Sequence, residues 1–241
     1  MRSTLTQPNA HVTYCNINFK CLISSVLTFI SCCALTSCSS AQECKEGINL
    51  LPMYGKVVKC DEQLKADKAF FEMVDKENKD RKKASAFFAE RGWDFFYKSD
   101  LESSMKRFNQ AWLLDSLNAD VYWGFGNILG RQNQFQESIS FFQRSLQLNP
   151  NNAKVYESLS ASYGQLFIAN HQQATLEQAV QALNKANSLD KDNPRILAGL
   201  TAAYCYYYQG DSASKYLKLT DKIDPQAISP QVREMVKRKM K

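Results

Sequence analysis

A spacing of 34 residues recurs through the middle of this chain and constrains its architecture more than any local feature. Gly92 and Gly126 are one step apart, as are Phe88 and Tyr122, and Phe108 and Phe142. The grid continues with Tyr156, Leu159, Ser160 and Tyr163, so units run over 85–118 and 119–152 and a third starts at 153. A fourth set, Leu197, Leu200, Thr201 and Tyr204 followed by Ala213, Leu217 and Thr220, closes at Asp224-Pro225. Within each unit the apolar residues step by three and four, the period of a helix face. Self-similarity at this period means stacked supersecondary units, none of which buries its apolar face alone. The expected fold class is all-α: a solenoid of about four helical hairpins with flanking capping helices.

Two columns set the packing. The small residues Gly92, Gly126, Ser160 and Thr201, facing Ser104, Ser138, Ala179 and Ala213, let the two helices of a unit approach closely. The bulky residues Phe108, Phe142, Leu183 and Leu217 wedge each unit against its neighbour. In the third unit, 153–193, the step from Ser160 to Thr201 is 41 residues, so seven are added between Tyr163 and Ala179. Such an insertion adds helical turns and keeps the phase of the following face nearly unchanged. It is expected to project as a ridge around Phe167, Ile168 and His171. The fourth unit is 194–225.

These residue types at these steps resemble the tetratricopeptide repeat (TPR) family over Ser85 to Pro225. Arg91 where the family has Leu, and Ser116 and Lys191 where it has a closing Pro, depart from the pattern. The resemblance implies that the first helix of every unit lines a concave groove that binds a protein or peptide. It places Trp93, Phe96 and Tyr97 there from the first unit, with Ala89; Trp123, Asn127 and Arg131 from the second; Lys154, Glu157 and Ala161 from the third; and Arg195, Ala198, Ala202 and Tyr206 from the fourth. Aromatic side chains and Arg dominate binding hot spots, so this lining suits an apolar or aromatic segment with some negative charge. The alternative for each aromatic is packing against the preceding helix or against the apolar stretch Leu50 to Tyr54. The carboxylate clamp of chaperone-adaptor members needs Lys and Asn where this chain has Ala89 and Trp93.

The ends need covers, because a terminal repeat exposes one apolar face. Residues 61–84 are expected to hold an N-terminal capping helix, with Leu64, Phe70, Phe71 and Val74 on its buried stripe and a break at Asn78-Lys79-Asp80. Residues 226–241 are expected to form a C-terminal capping helix, opened by Ser229 as N-cap with Pro230 in the first turn. Its Arg233, Lys237, Arg238, Lys239 and Lys241 suit a solvated cap better than a contact with anionic lipid.

Residues 1–37 read as a leader. About fifteen mostly apolar residues follow Lys20, a length that fits a signal-peptide core and falls short of the ~20 a membrane span needs. The run ends at Leu35-Thr36-Ser37-Cys38, which resembles the lipobox of bacterial lipoprotein precursors. That resemblance implies lipid on the Cys38 thiol and a lipid-anchored chain in the bacterial cell envelope; Ser39 fits the outer membrane, facing the periplasm. An ordinary secretory leader cut nearby is the alternative. Residues 38–60 then form a lipidated tether and irregular segment. In an oxidising compartment Cys44 and Cys60 can pair as a disulfide, while Cys205, inside a helical pattern, reads as a small buried hydrophobe. The stretches Ile48 to Gly55, Arg107 to Asp115 and Tyr122 to Gly126 are similar to small exported bacterial repeat proteins, which adds an address and no activity.

Charge and chemistry exclude other classes. The formal charge of +6 falls to +4 without the leader, and another +4 sits in residues 231–241, so the body is near neutral and offers no basic stripe for nucleic acid. Beyond the leader His171 is the only histidine, which disfavours a His-based triad or metal cage. The glycines of Gly124-Phe125-Gly126-Asn127-Ile128-Leu129-Gly130 lie within a helical pattern and not between a strand and a helix, so they read as packing contacts and not as a dinucleotide loop. No enzyme activity, metal or cofactor is expected. The expected role is a groove-binding scaffold; the alternative is a structural envelope protein that self-associates through its convex face and ends, and the residue inventory disfavours a third reading, an enzyme or glycan-binding envelope module.

Overall fold

The computed structural model describes residues 43–77, 79–207 and 209–239. The expected leader, 1–37, and the expected lipid site, Cys38, lie outside the described residues. Among the described residues the fold is all-helical: four antiparallel hairpins in series, flanked by one helix at each end. The flanking helices are α1 (Asp61–Glu77) and α10 (Pro230–Lys239). Between them the hairpins are α2 (Arg81–Tyr97) with α3 (Leu101–Leu114), α4 (Ala119–Arg131) with α5 (Phe135–Leu148), α6 (Ala153–Asn170) with α7 (Gln173–Leu189), and α8 (Pro194–Tyr206) with α9 (Gly210–Ile223).

Side-chain caps explain where the first helices begin. Asn118, Asn152 and Asn193 each accept a hydrogen bond from the backbone N–H two residues on, at 3.0, 3.1 and 3.0 Å. Such a cap satisfies one of the orphan donors of a helix start. The first unit departs from this grid. Its cap is Asp80, which accepts from Lys82 and Lys83, so α2 starts at Arg81, one turn before the expected Ser85. The N-terminal cover is correspondingly shorter than 61–84 and ends at Glu77. The turn inside the first two hairpins puts Ser99 and Asn133, one repeat apart, at φ 62°, the left-handed conformation that reverses the chain after a helix.

The packing columns meet as wedges and slots. Phe108, Phe142 and Leu183 are buried, and Leu217 packs half-buried against Cys205, Ala213 and Val236. The Phe108 ring fills the space at Gly92 of its own unit and at Gly124 of the next, where an added Cβ would come within 2.9 and 2.3 Å of ring atoms. Phe142 does the same at Gly126 at 2.5 Å. The glycines are therefore slots for rings, and each such ring contributes ~1.5–3 kcal/mol by burial.

The insertion of the third unit is shared between its helices. With 18 residues, α6 is five longer than α4, whereas α7, with 17, is three longer than α5. The turn between them is one residue shorter, which accounts for all seven added residues. The expected ridge is only partly one. Ile168 is exposed, but the Phe167 ring leans onto the fourth unit, 5.8 Å from Tyr206. His171 ends α6 in a left-handed conformation, φ 53°.

Both ends are covered. Val74 of α1, with Phe70 and Phe71, packs on Ala84, Leu114 and Phe88; Leu64, expected on that stripe, is exposed instead, because the face that meets α2 runs through Phe70 and Val74. At the other end Val236 of α10 packs on Cys205 and Ala213. Arg233 is held by both carboxylate oxygens of Asp221, at 2.6 and 3.1 Å, and donates to the carbonyl of Pro225. That cation is committed to capping.

Within the expected tether and irregular segment, residues 48–56 are built against the array. One-turn helices at Ile48–Leu50 and Pro52–Lys56 lie against α3, on the outer side, and Cys44 and Cys60 form a disulfide with Cα atoms 5.2 Å apart. The buried Asn109 of α3 donates to the carbonyls of Asn49 and Leu51, both at 2.9 Å, and accepts from the N–H of Tyr54 at 3.3 Å. Met53, Tyr54, Gly55 and Lys56 all have φ between 52° and 64°. The left-handed region is costly for Met53, Tyr54 and Lys56, so the bonds to Asn109 and the packing of Met53 on the first core cluster must hold the turn.

Candidate functional site

The first helices, α2, α4, α6 and α8, put the expected groove residues along one face of the array, in three zones. At the first end, aromatic rings stack on each other. The Trp93 and Trp123 rings lie 4.3 Å apart, and Trp93 also meets Phe108 at 5.3 Å, Phe96 at 5.5 Å and Tyr97 at 6.0 Å. The Trp123 indole N–H donates to the Ser158 hydroxyl at 3.0 Å, so this side chain bridges the second and third units. Both tryptophans are half-buried and serve the stack as well as the groove: Trp93 also packs on the core cluster that holds Ala89 and Phe108, and Trp123 on the one that holds Phe142 and Leu159. Tyr97 is 75 % exposed and is the part of this cluster most open to a partner. Ala89, expected in the lining, is buried under it.

The middle zone is polar. Asn127 turns its amide back onto the Trp123 carbonyl of its own helix, at 2.9 Å. Arg131 sits 5.5 Å over the Phe96 ring and donates to the Ser99 hydroxyl at 3.3 Å. Glu157 and Arg195 form an ion pair across α6 and α8 at 2.6 Å, with Glu157 largely covered and the Arg195 side chain 77 % exposed. Lys154 is exposed at the start of α6. Across from it, desolvation raises the Asp120 carboxyl above its usual range, and the Lys154 ammonium opposes that shift. Asn127, Arg131, Glu157 and Arg195 share a hollow of about 320 Å3.

The last zone is an apolar recess of about 330 Å3 between α6 and α8 that reaches from Glu157 and Arg195 to Tyr206. Tyr206 stands at its rim, with its ring edge-on to Phe167. All fourteen expected groove residues thus lie on first helices, with Ala89 buried beneath the lining. What the expectation missed is Gly164, Gln165 and Phe167, which line this recess together with Ala161 and Ala202. For Phe167 the signal was the insertion, because residues past Gln165 have no counterpart in a regular 13-residue first helix such as α4; Gly164 and Gln165 stand on the grid at the places of Gly130 and Arg131.

A further cavity, about 410 Å3, lies on the other side of the first unit, between the disulfide-closed segment, α1 and α3. The Lys59–Asp67 ion pair lines it, and the Lys59 ammonium is 3.5 Å from the centre of the Tyr54 ring. Burial pushes the Tyr54 phenol well above its usual value, and the Asp67 charge adds to the shift. This cavity is distinct from the groove.

Comparison with known proteins bears on the fold. Residues 119–152, the second unit, match the family model described as tetratricopeptide repeat. The comparison with curated proteins finds no match. Among solved structures, MamA is similar with a TM-score of 0.52 at 19% identity, over 67% of this chain and 88% of that one. TTC0263, a thermophilic TPR protein in Thermus thermophilus, gives 0.53 at 14% identity, over 64% and 80%. YrrB, described as a TPR protein with an unusual peptide-binding site, gives 0.53 at 17% identity, over 72% and 92%. At these identities the likeness establishes the fold: a TPR-type helical-hairpin solenoid.

Proposed function

We propose that this chain is an interaction scaffold that takes a protein or peptide segment along the groove of its first helices. The observation that carries the reading is the lining itself. Tyr97, Arg131, Arg195 and Tyr206, residue types that concentrate binding energy, are all exposed on the first helices, while the core columns are closed. A groove made of helix faces accepts either an extended segment or an amphipathic helix. YrrB, whose fold is similar, carries a peptide-binding site, which supports the same use of this face. The reading assigns the chain no reaction and no cofactor.

The second part of the proposal is an address: lipid on Cys38, in a bacterial envelope, with the array facing the periplasm from the outer membrane. Leu35-Thr36-Ser37-Cys38 supports it, and so does the Cys44–Cys60 disulfide, a bond that persists in oxidising compartments. Two or more acyl chains on the Cys38 site would make the anchoring stable, where one gives only marginal binding.

Affinity purification of the tagged chain tests the groove. Tyr97→Ser with Arg131→Glu is expected to lose the copurifying partner, because both side chains reach the groove and neither belongs to the core. Partners that stay bound to this double variant contradict the groove reading. Metabolic labelling with an alkyne palmitate tests the address: label on the wild type and none on Cys38→Ala is expected, and equal labelling of both contradicts it.

A further inference from the structure

The groove does not keep one cross-section. On the repeat grid the column that begins as Trp93 and Asn127 continues as Ala161 and Ala202, and the column beside it runs Phe96, Gly130, Gly164. Between α2 and α4, rings fill the space, with Trp93 and Trp123 at 4.3 Å. Between α6 and α8 the bulk is missing. The Glu157–Arg195 ion pair closes one end, at 2.6 Å, and the edge-on rings of Phe167 and Tyr206, 5.8 Å apart, close the other. The space between is the recess of about 330 Å3, floored by Leu176 and Leu183 of α7. At Gly164 an added Cβ would meet nothing within 4 Å, so the opening reaches the backbone of α6.

The insertion makes this recess. Phe167 and Ile168 lie on the part of α6 that extends beyond the length of α4, and they form a wall that a regular unit lacks. Ile168 is 52 % and Tyr206 42 % exposed, two large apolar side chains bared at one rim. The charged groups of the recess and the adjoining hollow are Arg131, Arg195 and Glu157. Glu157 is engaged by Arg195, so one positive charge is in surplus. The exposed Arg195 fork keeps donors for a second carboxylate, since a guanidinium presents five N–H groups.

The geometry points to a specificity pocket. Resting on the groove reading above, the recess between α6 and α8 takes one large apolar side chain, aromatic or branched, of an extended acidic peptide whose neighbouring carboxylates meet Arg195 and Arg131. Its size is at the lower end of ligand pockets, ~300 Å3 and upward, which suits a single side chain better than a whole small molecule. Its open side faces the groove, so a chain running along the first helices passes directly over it. The seven added residues thereby select what the groove binds.

The test uses the full chain after its leader and a fluorescein-labelled dodecapeptide of glycine and serine with a central Asp-Phe-Asp-Glu segment, read by fluorescence anisotropy. Binding is expected to weaken at least about tenfold when the peptide Phe becomes Ala, the loss of one buried ring, and again when its acids become Asn. Gly164→Leu fills the recess from its open wall and is expected to weaken binding at least about tenfold while the thermal midpoint stays at or above that of the wild type, because Leu replaces Gly inside a helix. Ala202→Leu, from the facing helix, is expected to do the same. No binding of the acidic Phe peptide, or equal binding by Gly164→Leu and the wild type, overturns the proposal. The broader reading fails separately. If copurifying partners are lost with Tyr97→Ser and Arg131→Glu but retained with Gly164→Leu, the groove stands and the pocket falls; if they are retained on both, the groove falls as well.

Discussion

The Phe108 ring occupies the place of a side chain at Gly124: a Cβ there would sit 2.3 Å from the ring, while the same addition at Gly164, on another first helix, meets nothing. The two glycines therefore have opposite roles in one array. Gly124→Ala forces a methyl into a closed slot and is expected to cost ~1–3 kcal/mol. Gly164→Ala removes only the entropic weakness of a helical glycine and is expected to gain ~0.5–1 kcal/mol. Urea unfolding of both variants checks the pair. Equal effects would mean that Phe108 does not wedge the first two units.

Asn109 is the side chain that ties the N-terminal segment to the array by hydrogen bonds. Asn109→Ala removes the two hydrogen bonds donated to the carbonyls of Asn49 and Leu51 and the one accepted from Tyr54, each worth ~0.5–1.5 kcal/mol net. The expected readout is local as well as global. Hydrogen exchange should speed up from Ile48 to Lys56, where the left-handed turn loses its support, before it does in α4 to α7. Uniform acceleration across all units would contradict a local clasp.

The disulfide closes a loop with a sequence separation of 16 around that segment. In the chain-entropy account a loop of about 15 residues is worth ~3 kcal/mol. Replacing Cys44 and Cys60 by Ser is expected to lower stability by ~2–3 kcal/mol and to remove the sensitivity to a dithiol reductant that the wild type should show. Identical denaturation curves with and without reductant would show that the pair does not form in solution.

Acid should loosen the array through particular carboxylates. The Arg81 side chain, by hydrogen bonding, holds Asp75 below the usual carboxylate range, and the backbone N–H of Ser103, with its side chain, does the same for Asp100. Folded values below the unfolded ones mean a contribution that is present above the ordinary Asp value of ~3.9 and lost as pH falls through the folded value. Thermal midpoints should therefore drop below about pH 4, and less steeply in a variant with Asp75→Asn and Asp100→Asn. Parallel pH profiles for variant and wild type would remove these two groups from the account.

The array was legible in the sequence because its packing is periodic. Phe108 and Phe142 need slots, the slots are Gly92 and Gly126, and both pairs keep the 34-residue step. The groove residues followed from the same step. The features off the grid were not legible. The first unit starts at Arg81 because Asp80 caps it, where the next units use an Asn, and a cap moved by one turn leaves no periodic trace. The clasp on α3 depends on Asn109 meeting backbone carbonyls some 60 residues earlier, a tertiary contact that local pattern does not encode. Leu64 is apolar and exposed because the face of α1 that meets α2 and α3 runs through Phe70 and Val74. The insertion was visible as a count of residues, but its division between α6 and α7, and the tilt of Phe167 onto Tyr206, depend on how the fourth unit packs against it.

The central claim is that partners meet the first helices and not the outer side of the array. A photo-reactive benzoylphenylalanine placed in the living cell at Tyr97 or Tyr206, and separately at Gln147 of α5 or Lys185 of α7, reads this most directly. Cross-links to one partner from Tyr97 and Tyr206, with none from Gln147 and Lys185, are the predicted result. Cross-links confined to Gln147 and Lys185 would contradict it, and would assign the binding surface to the convex face.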